Sequence, residues 1–242
     1  MGRYYYDLHV HSCLSPCGDD DNTPNNIAGM ASLSELDIVA LTDHNSCKNC
    51  PAFFDAAAKY GIIPIAGMEL TTSEDIHVVC LFETLDEALR FNEHVDNNRL
   101  KIKNRAEFFG NQRILDENDT FVSEEPYLLS SATYISIEEV RDVVASFNGI
   151  CYPAHIDRDA NGIVAVLGTL PKELDFSYFG LHDGTKIPYN SEKYGIDENR
   201  FLVSSDAHYL TDIRDKSFYL ELDCEGNDPA TVRCALFKLL RS

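Results

Sequence analysis

The stretch Tyr4-Tyr-Tyr-Asp-Leu-His-Val-His11, close to the first residue, decides how the rest of the chain is interpreted. Its aromatic and apolar residues predict a β-strand over Tyr4–Val10, with His9 and His11 at the end of that strand. In a strand, residues i and i+2 point to the same face, so both imidazoles can reach one metal ion. A single His-x-His is also typical of an ordinary exposed strand, so other parts of the chain must support the metal site.

Further histidine and acidic residues follow other short apolar runs that predict strands. In a parallel β/α barrel the carboxyl ends of the strands meet at one mouth, so we expect these residues to converge. Each of them alone also fits a capped turn, a salt-bridged rim residue or a core histidine. Together they predict a metal site, because imidazole and carboxylate suit Zn, Mn and Fe. The residues are Asp43, His44, Glu69, His155, Asp206 and His208.

The order of the predicted elements indicates an α/β protein with a single domain over residues 1–242. Short strands alternate with helices, whose starts are marked by Thr23-Pro24 and by a capping box at Thr84–Glu87. A second capping box at Ser136–Glu139 predicts a helix to about Phe147. We interpret residues 85–132 as a helical insertion that forms a subdomain or lid over the barrel.

The charge of the chain argues against some classes of partner. Its 242 residues include 40 acidic and 20 basic side chains, which gives a formal net charge of −20. This charge disfavours long nucleic acids and anionic membranes, but it does not exclude a small anionic substrate at a local cationic site. The sequence has no apolar run of the roughly 18 residues that a membrane span needs and no signal peptide, so we expect a cytoplasmic protein.

Eight cysteines are scattered along the chain, which is typical of reduced thiols. Two pairs, Cys13 with Cys17 and Cys47 with Cys50, lie in loops after the first two predicted strands. Four such thiols would suffice for a structural zinc site. The pairs lie in no zinc-ribbon or zinc-finger context, so we favour separate loop thiols.

The chain resembles the PHP (polymerase and histidinol phosphatase) domain family in five motifs that occur in the order typical of the family. The resemblance implies a distorted (β/α)7 barrel with three divalent metal ions at its mouth, and phosphoester hydrolysis as the activity. The motifs are Asp7-Leu-His-Val-His11-Ser, Thr42-Asp-His44-Asn, Gly67-Met-Glu69, Pro153-Ala-His155 and Ser204-Ser-Asp206-Ala-His208.

The resemblance also implies three sets of metal ligands. Glu69 belongs to two of them and would bridge two ions. His77 enters only through the resemblance, because it lies early in its predicted strand rather than at its end. The sets are His9, His11, Glu69 and Asp206; His44, His208 and one ligand from the loop after His11; and Glu69, His77 and His155.

The loop after His11 departs from the family pattern and leaves two candidates for its ligand. Counting forward from His11 selects Cys17, whereas counting back from Thr23-Pro24 selects Asp19. We favour Asp19, because an oxygen ligand suits a hydrolytic Mn, Mg or Fe site. A Cys17 thiolate would instead favour Zn or a redox-sensitive site.

Three residues are candidates for contact with substrate or for orienting the ligands. Arg158 follows His155, and its guanidinium fits a phosphate, although pairing with a neighbouring aspartate explains it equally well. His182 ends a predicted strand and either gives a proton to a leaving oxygen or holds a substrate hydroxyl. Asp43 is expected to orient His44 or a neighbouring histidine. Lys186 is a weaker substrate candidate.

These observations predict a metal-dependent phosphomonoester hydrolase that acts on a small phosphorylated metabolite or nucleotide. The nucleophile would be a hydroxide shared by two metal ions, since bound metal lowers the pKa of water to about 7. Two alternatives stay open: a hydrolase of the amidohydrolase type, and a non-catalytic metal-binding domain that binds a phosphorylated ligand or a protein. The sequence does not determine the metal, the substrate or the oligomeric state.

Overall fold

A computed structural model describes residues 1–242. The strands are β1 (Gly2–Val10), β2 (Ile38–Leu41), β3 (Ile63–Thr71), β4 (His77–Phe82), β5 (Arg113–Leu115), β6 (Phe121–Glu124), β7 (Ile150–Pro153), β8 (Phe179–Leu181), β9 (Phe201–Val203) and β10 (Tyr219–Leu222). The α-helices are α1 (Pro24–Leu33), α2 (Cys50–Tyr60), α3 (Leu85–Asn97), α4 (Ala106–Phe109), α5 (Val140–Ser146), α6 (Ile163–Leu167), α7 (Ile187–Tyr194) and α8 (Pro229–Leu240).

Six of the strands form one mixed sheet in the order β10-β1-β2-β3-β4-β7. Strands β1, β2 and β3 are parallel, whereas β4 runs antiparallel to both of its neighbours, β3 and β7. Strand β7 therefore points the same way as β1 to β3. The amino end of β4 lies at the edge where these parallel strands end, with His77 opposite Thr71.

Strands β8 and β9 form a separate parallel pair that approaches both β7 and β1. The backbone N–H of Ile156, just after β7, donates to the carbonyl of Gly180 in β8 at 2.9 Å. On the other side, the N–H of His11 donates to the carbonyl of Ala207 at 2.9 Å. The result is a mixed α/β fold with a curled half-barrel sheet, which confirms the predicted α/β class and corrects the expectation of uniformly parallel strands.

The predicted helix starts are confirmed by their capping contacts. Thr23 Oγ1 accepts the N–H of Asn26 at 3.2 Å, and Thr84 and Glu87 form both halves of a capping box. The helices cover a sheet whose successive residues are buried on opposite faces, as in Ile38 and Val39. None of the helices is long and apolar enough to cross a bilayer.

The segment from residue 85 to residue 132 is less helical than predicted. Its one long helix, α3, buries Ala88, Phe91 and Val95 in the main hydrophobic core, so this helix is part of the α/β body. The remainder contains α4 and the β5–β6 hairpin, and its backbone packs against the loop after β1, where the N–H of Arg113 donates to the carbonyl of Cys13 at 2.9 Å. A role for this remainder as a lid stays a prediction.

The side chain of Asn45 links the inserted segment to the sheet through hydrogen bonds. Its side chain donates to the carbonyls of Leu129 and Ser131 at 2.7 and 2.9 Å, and its amide oxygen accepts the N–H of Thr71 at 2.9 Å. The residue is buried and has a φ of 46°, a left-handed conformation that asparagine tolerates better than most residues. The Asn45 amide therefore satisfies three buried backbone groups at once.

Replacing Asn45 should destabilise the protein. In Asn45→Ala the three backbone groups lose their partners, so we expect the free energy of unfolding to fall by about 2–4 kcal/mol. Urea denaturation measures this change. Asn97→Ala is the matched control, because Asn97 is exposed at the end of α3 and should change stability by no more than about 0.5 kcal/mol. Equal stability of the two variants would contradict this account of Asn45.

Candidate metal centre

The ligand candidates come from the strand ends that the fold gathers at one edge of the half-barrel. His9 and the residues after β2, β7 and β9 reach this edge because their strands point the same way. His77 reaches it from the opposite direction, at the start of the antiparallel β4. Only five residues, 72–76, separate β3 from β4, whereas a parallel crossover needs a dozen or more. The spacing itself therefore indicates a hairpin, a signal that the parallel-barrel argument overlooked.

The potential metal-ligating atoms form three overlapping groups, in each of which they lie within 4.8 Å of one another. The first contains the four residues expected to share an ion. The second joins the two expected residues His44 and His208 to His11, and the third joins His44 to Glu69 and His77. The groups are His9, His11, Glu69 and Asp206; His11, His44 and His208; and His44, Glu69 and His77.

The carboxylate of Glu69 is the centre of the cluster. Five imidazoles lie within 3.2 Å of its two oxygens: His9, His11, His44, His77 and His155. Glu69 itself is only 1% exposed. Asp206 provides the second carboxylate, with Oδ1 at 3.3 Å from His9 Nε2 and 3.2 Å from His11 Nε2.

The protonation of these groups follows from burial and from their neighbours. Burial opposes charge on Glu69, but His77, His9 and His44 hold its pKa well below the usual range. Burial also disfavours charge on His11, yet the carboxylates of Asp206 and Glu69 raise its pKa well above the usual value.

The pKa values of His44 and His208, which share the second group with His11, shift in the opposite direction. Burial lowers the pKa of His44 well below its usual value, and burial together with His11 lowers that of His208 to about 4. Both rings are therefore neutral at pH 7, the form in which imidazole binds metal.

The donor set fits divalent metal ions. Buried polar atoms ordinarily have a hydrogen-bond partner, but His44 Nδ1, His155 Nδ1 and Asp206 Oδ1 make no well-aligned hydrogen bond, although polar atoms lie within 3.3 Å of His44 Nδ1 and Asp206 Oδ1. His155 and Asp206 also adopt positive φ values of 26° and 53°, a strained conformation for such residues that is typical of functional sites. Metal ions coordinated by these carboxylates and imidazoles would satisfy the unpaired atoms and offset the cost of burying them.

Asp43 orients the ligands through a serine rather than directly. Its carboxylate accepts the Ser12 N–H at 2.7 Å, the Ser12 hydroxyl at 2.6 Å and the Ser15 hydroxyl at 2.7 Å. Ser15 Oγ in turn lies 2.9 Å from His11 Nδ1 and accepts the backbone N–H of His44 at 3.1 Å. The chain Asp43–Ser15–His11 fixes the ring so that its Nε2 faces Glu69 and Asp206.

Neither loop candidate belongs to the three groups of potential ligands. Asp19 donates its N–H to the carbonyl of His208 at 2.9 Å, and its Oδ1 accepts the N–H of Asp21 at 2.9 Å. Cys17 is exposed at the rim, where burial of part of the thiol raises its pKa to about 11, with His11 lowering it and Glu69 raising it. The choice between these two ligands stays a prediction.

The two cysteine pairs do not form a common site. Cys47 and Cys50 are buried and both donate to the carbonyl of Gly67, at 3.2 and 3.6 Å. Cys13 instead contacts the carbonyl of Arg113 at 3.9 Å. None of the three groups of potential ligands includes a cysteine.

Positively charged side chains border the cluster on the side of β8. Arg158 Nη1 lies 2.6 Å from Asp206 Oδ2, and its Nη2 lies 3.2 Å from His182 Nδ1. His182 lines one small cavity together with His9, His155 and Asp206. Both predicted substrate residues are thus adjacent to the ligands.

Two further cations lie on this side. Arg214, which no sequence pattern singled out, donates to the carbonyl of His182 and lies 3.4 Å from its Nδ1. Lys186 is turned toward Asp157, with its Nζ at 3.5 Å from Asp157 Oδ2 and 3.2 Å from the Asp157 carbonyl. The Asp157 carboxylate also accepts the backbone N–H groups of His182 and Asp183 at 2.9 and 3.0 Å, so it fixes the loop after β8.

Comparison with known proteins identifies the family. Residues 7–149, more than half of the chain, match the family model of the PHP domain. The chain therefore belongs to the PHP domain family, whose members are metal-dependent hydrolases that bind divalent ions. No curated protein is similar to this chain at a significant level.

Solved structures with the same fold have different printed functions. A lesion-specific endonuclease Q from Pyrococcus furiosus matches with a TM-score of 0.62 and 17% identity over 98% of this chain and 56% of its own. An amidohydrolase from Chromobacterium violaceum, with bound sulfate and no metal, matches with a TM-score of 0.58 and 16% identity over 95% of this chain and 96% of its own. A candidate metal-dependent phosphoesterase from Bifidobacterium adolescentis matches with a TM-score of 0.52 and 15% identity over 96% of this chain and 95% of its own.

These similarities show the fold and leave the substrate open. The chain spans little more than half the length of the endonuclease, 56%. The amidohydrolase and the phosphoesterase, by contrast, match over almost their whole lengths, 96% and 95%. The substrate must therefore be inferred from the residues of this chain.

Substitution of Glu69 tests the centre. Glu69→Gln keeps the shape of the side chain but removes the charge that faces five imidazoles. Because loss of an outer-shell partner alone weakens metal binding by about 10–100-fold, we expect more than about 100-fold weaker binding in this variant. Metal content after dialysis, measured by plasma mass spectrometry, checks this. Glu93→Gln, an exposed substitution on α3, should retain the wild-type metal content. Equal metal content in the two variants would refute the central role of Glu69.

Proposed function

We propose that this protein is a metal-dependent phosphomonoester hydrolase that acts on a small phosphorylated metabolite or nucleotide. The observation that carries the proposal is the position of Arg158, whose guanidinium contacts both Asp206 in the ligand cluster and His182 beside it. A guanidinium at this place matches phosphate oxygens. It would hold a phosphoryl group directly against the metal centre.

The family implies three divalent ions, which His9, His11, His44, Glu69, His77, His155, Asp206, His208 and one loop residue would hold. When bound, Mn, Zn, Fe or Mg ions supply a nucleophile from water at neutral pH and neutralise charge on the phosphoryl oxygens. Asp43 and Ser15 hold His11 in its orientation, and Arg158 binds the phosphoryl oxygens that face away from the ligands.

His182 acts as a hydrogen-bond donor rather than as an acid. Burial lowers its pKa, and the neighbouring charges of Arg158 and Arg214 lower it further, so the ring is neutral at pH 7. Its Nδ1 faces two guanidinium donors and must accept, which places the proton on Nε2. The Nε2–H can then donate a hydrogen bond to the leaving oxygen or to a substrate hydroxyl. Holding a substrate hydroxyl is the second of the two roles that the sequence predicts for His182.

The activity is tested with protein loaded with Mn, Zn or Fe and assayed on a panel of phosphomonoesters. We expect phosphate release that depends on metal and is lost in Glu69→Gln. Arg158→Gln should lower kcat/KM by about 10–100-fold, because a charge-assisted hydrogen bond to the substrate is lost. Arg90→Gln is the control, since Arg90 lies on the exposed face of α3 and pairs with Asp86.

The same assay separates the alternatives. Incision of an abasic duplex without phosphomonoester turnover would favour a nuclease similar to endonuclease Q. Hydrolysis of amides would favour the amidohydrolase reaction, and binding of phosphate compounds without any turnover would favour a non-catalytic domain. Each of these outcomes refutes the monoesterase proposal.

We further propose Asp19 as the ligand from the loop. Its N–H is bonded to the carbonyl of His208, so the residue is held beside the second group of ligands, and its Oδ2 has no partner in the protein. An oxygen ligand also suits a hydrolytic Mn, Mg or Fe ion better than a thiolate does.

Paired substitutions distinguish the two loop candidates. We expect Asp19→Asn to bind one fewer ion per chain, because an amide is a poorer ligand than a carboxylate, and Cys17→Ser to bind the wild-type number. Metal analysis of both variants after loading with Mn or Zn measures the difference. The reverse pattern, with the ion lost in Cys17→Ser, would assign the loop ligand to the thiol and favour Zn.

A further inference from the structure

Arg214 is a half-buried cation without an acidic partner, in a chain with twice as many acidic as basic residues. No carboxylate forms an ion pair with it, and its contacts are the carbonyl of His182 and, at 3.4 Å, His182 Nδ1. The carboxylate of nearby Asp183 is engaged by the backbone and hydroxyl of Thr185. The guanidinium of Arg214 therefore has no carboxylate in direct contact, and the nearby acidic group of Asp183 interacts with it only at longer range.

Arg158 and Arg214 converge on the same nitrogen. Arg158 Nη2 and Arg214 Nη2 lie 3.2 and 3.4 Å from His182 Nδ1, which has a single lone pair and can accept fully from only one donor. Two like charges at this separation repel each other, and only Arg158 has a carboxylate partner, Asp206. Because Asp206 is also an expected metal ligand, metal binding would compete for that carboxylate. The two guanidiniums thus share a single carboxylate in direct contact, and metal binding would engage that carboxylate as well.

We propose that Arg214 is a second phosphate-binding residue, which together with Arg158 binds the non-bridging oxygens of a terminal, dianionic phosphoryl group. This inference rests on the proposed phosphoesterase function and specifies its substrate class. A phosphomonoester carries close to two negative charges at pH 7 and three free oxygens. Two guanidiniums match both properties. A phosphodiester has one charge, and its second ester group replaces an oxygen that an arginine would contact, so the site selects monoesters over diesters.

A purely structural role for Arg214, holding the loop of His182 through the carbonyl, makes a different prediction. Arg214→Gln keeps a side-chain N–H donor for that carbonyl but loses the charge. Arg214→Lys keeps the charge but loses the paired N–H donors of the guanidinium. If the residue only holds the loop, Arg214→Gln leaves phosphate binding unchanged. If Arg214 binds phosphate, Arg214→Gln weakens phosphate binding and Arg214→Lys retains part of the affinity for phosphate.

The first experiment measures binding without turnover. Metal-free protein is titrated with inorganic phosphate by calorimetry, and the increase in Tm with phosphate is recorded in parallel. We expect Arg214→Gln to bind phosphate about 10–100-fold more weakly than wild type, a loss typical of a charge-assisted hydrogen bond, and Arg214→Lys to lose less. Arg90→Gln, which removes an arginine from the exposed face of α3, should bind as wild type does. Unchanged binding in Arg214→Gln overturns the proposal.

The second experiment measures selectivity with metal-loaded enzyme. We expect Arg214→Gln to lower kcat/KM for phenyl phosphate by about 10–100-fold and to change kcat/KM for methyl phenyl phosphate much less. Equal losses on both esters overturn the selectivity for monoesters. The two proposals can also fail separately. If the wild-type protein has no phosphoesterase activity but binds phosphate, and Arg214→Gln weakens that binding, the proposed function is wrong and the role of Arg214 in binding phosphate stands.

Discussion

The burial of one carboxylate organises this protein. Glu69 lies at the end of β3 with only 1% of its surface exposed, and five imidazoles from four different stretches of the chain contact it. A buried carboxylate without compensation would be protonated or would destabilise the fold. The surrounding histidines instead keep it ionised, so its charge is available for metal ions. Three features place candidate ligands around Glu69: the directions of the strands, the strained backbone at His155 and Asp206, and the contact between Asp43 and Ser15.

The candidate metal ligands and the proposed phosphate-binding residues lie on different sides of the site. The cluster around Glu69 combines two carboxylates with several imidazoles, whereas Arg158 and Arg214 lie on the side of β8. The net charge of −20 would not prevent phosphate binding there, because the positive potential of the two arginines is local. Bound metal ions would add to that potential, and loss of metal would leave mainly the two arginines to attract a phosphoryl group.

Much of the fold and of the ligand set could be predicted from the sequence because the signals are local. Apolar runs marked the eight strands of the half-barrel region, and Thr23-Pro24 and Thr84–Glu87 marked helix starts through hydrogen bonds within a few residues. The β5–β6 hairpin was missed because its strands are three and four residues long and β6 is exposed, so neither has a strong apolar pattern. The hairpin fell inside residues 85–132, which were interpreted as a helical insertion because the sequence after the capping box at Thr84–Glu87 is polar and favours helix to about Phe109.

The sequence by itself determined the chemical types of the ligands and their places at strand ends, since a two-residue period fixes which side chains share a face. The sequence spacing indicates that β4 is reversed, but only the tertiary structure showed that His77, at the start of this strand, contacts Glu69. The tertiary structure also decided that Asp43 acts through Ser15 and that Arg214 lies beside Arg158 and His182. The contacts of Asp43 with Ser15 and of His182 with the two arginines join residues 24 to 32 positions apart. Only the packing of strands and loops determines such distances, and no local pattern in the sequence records them.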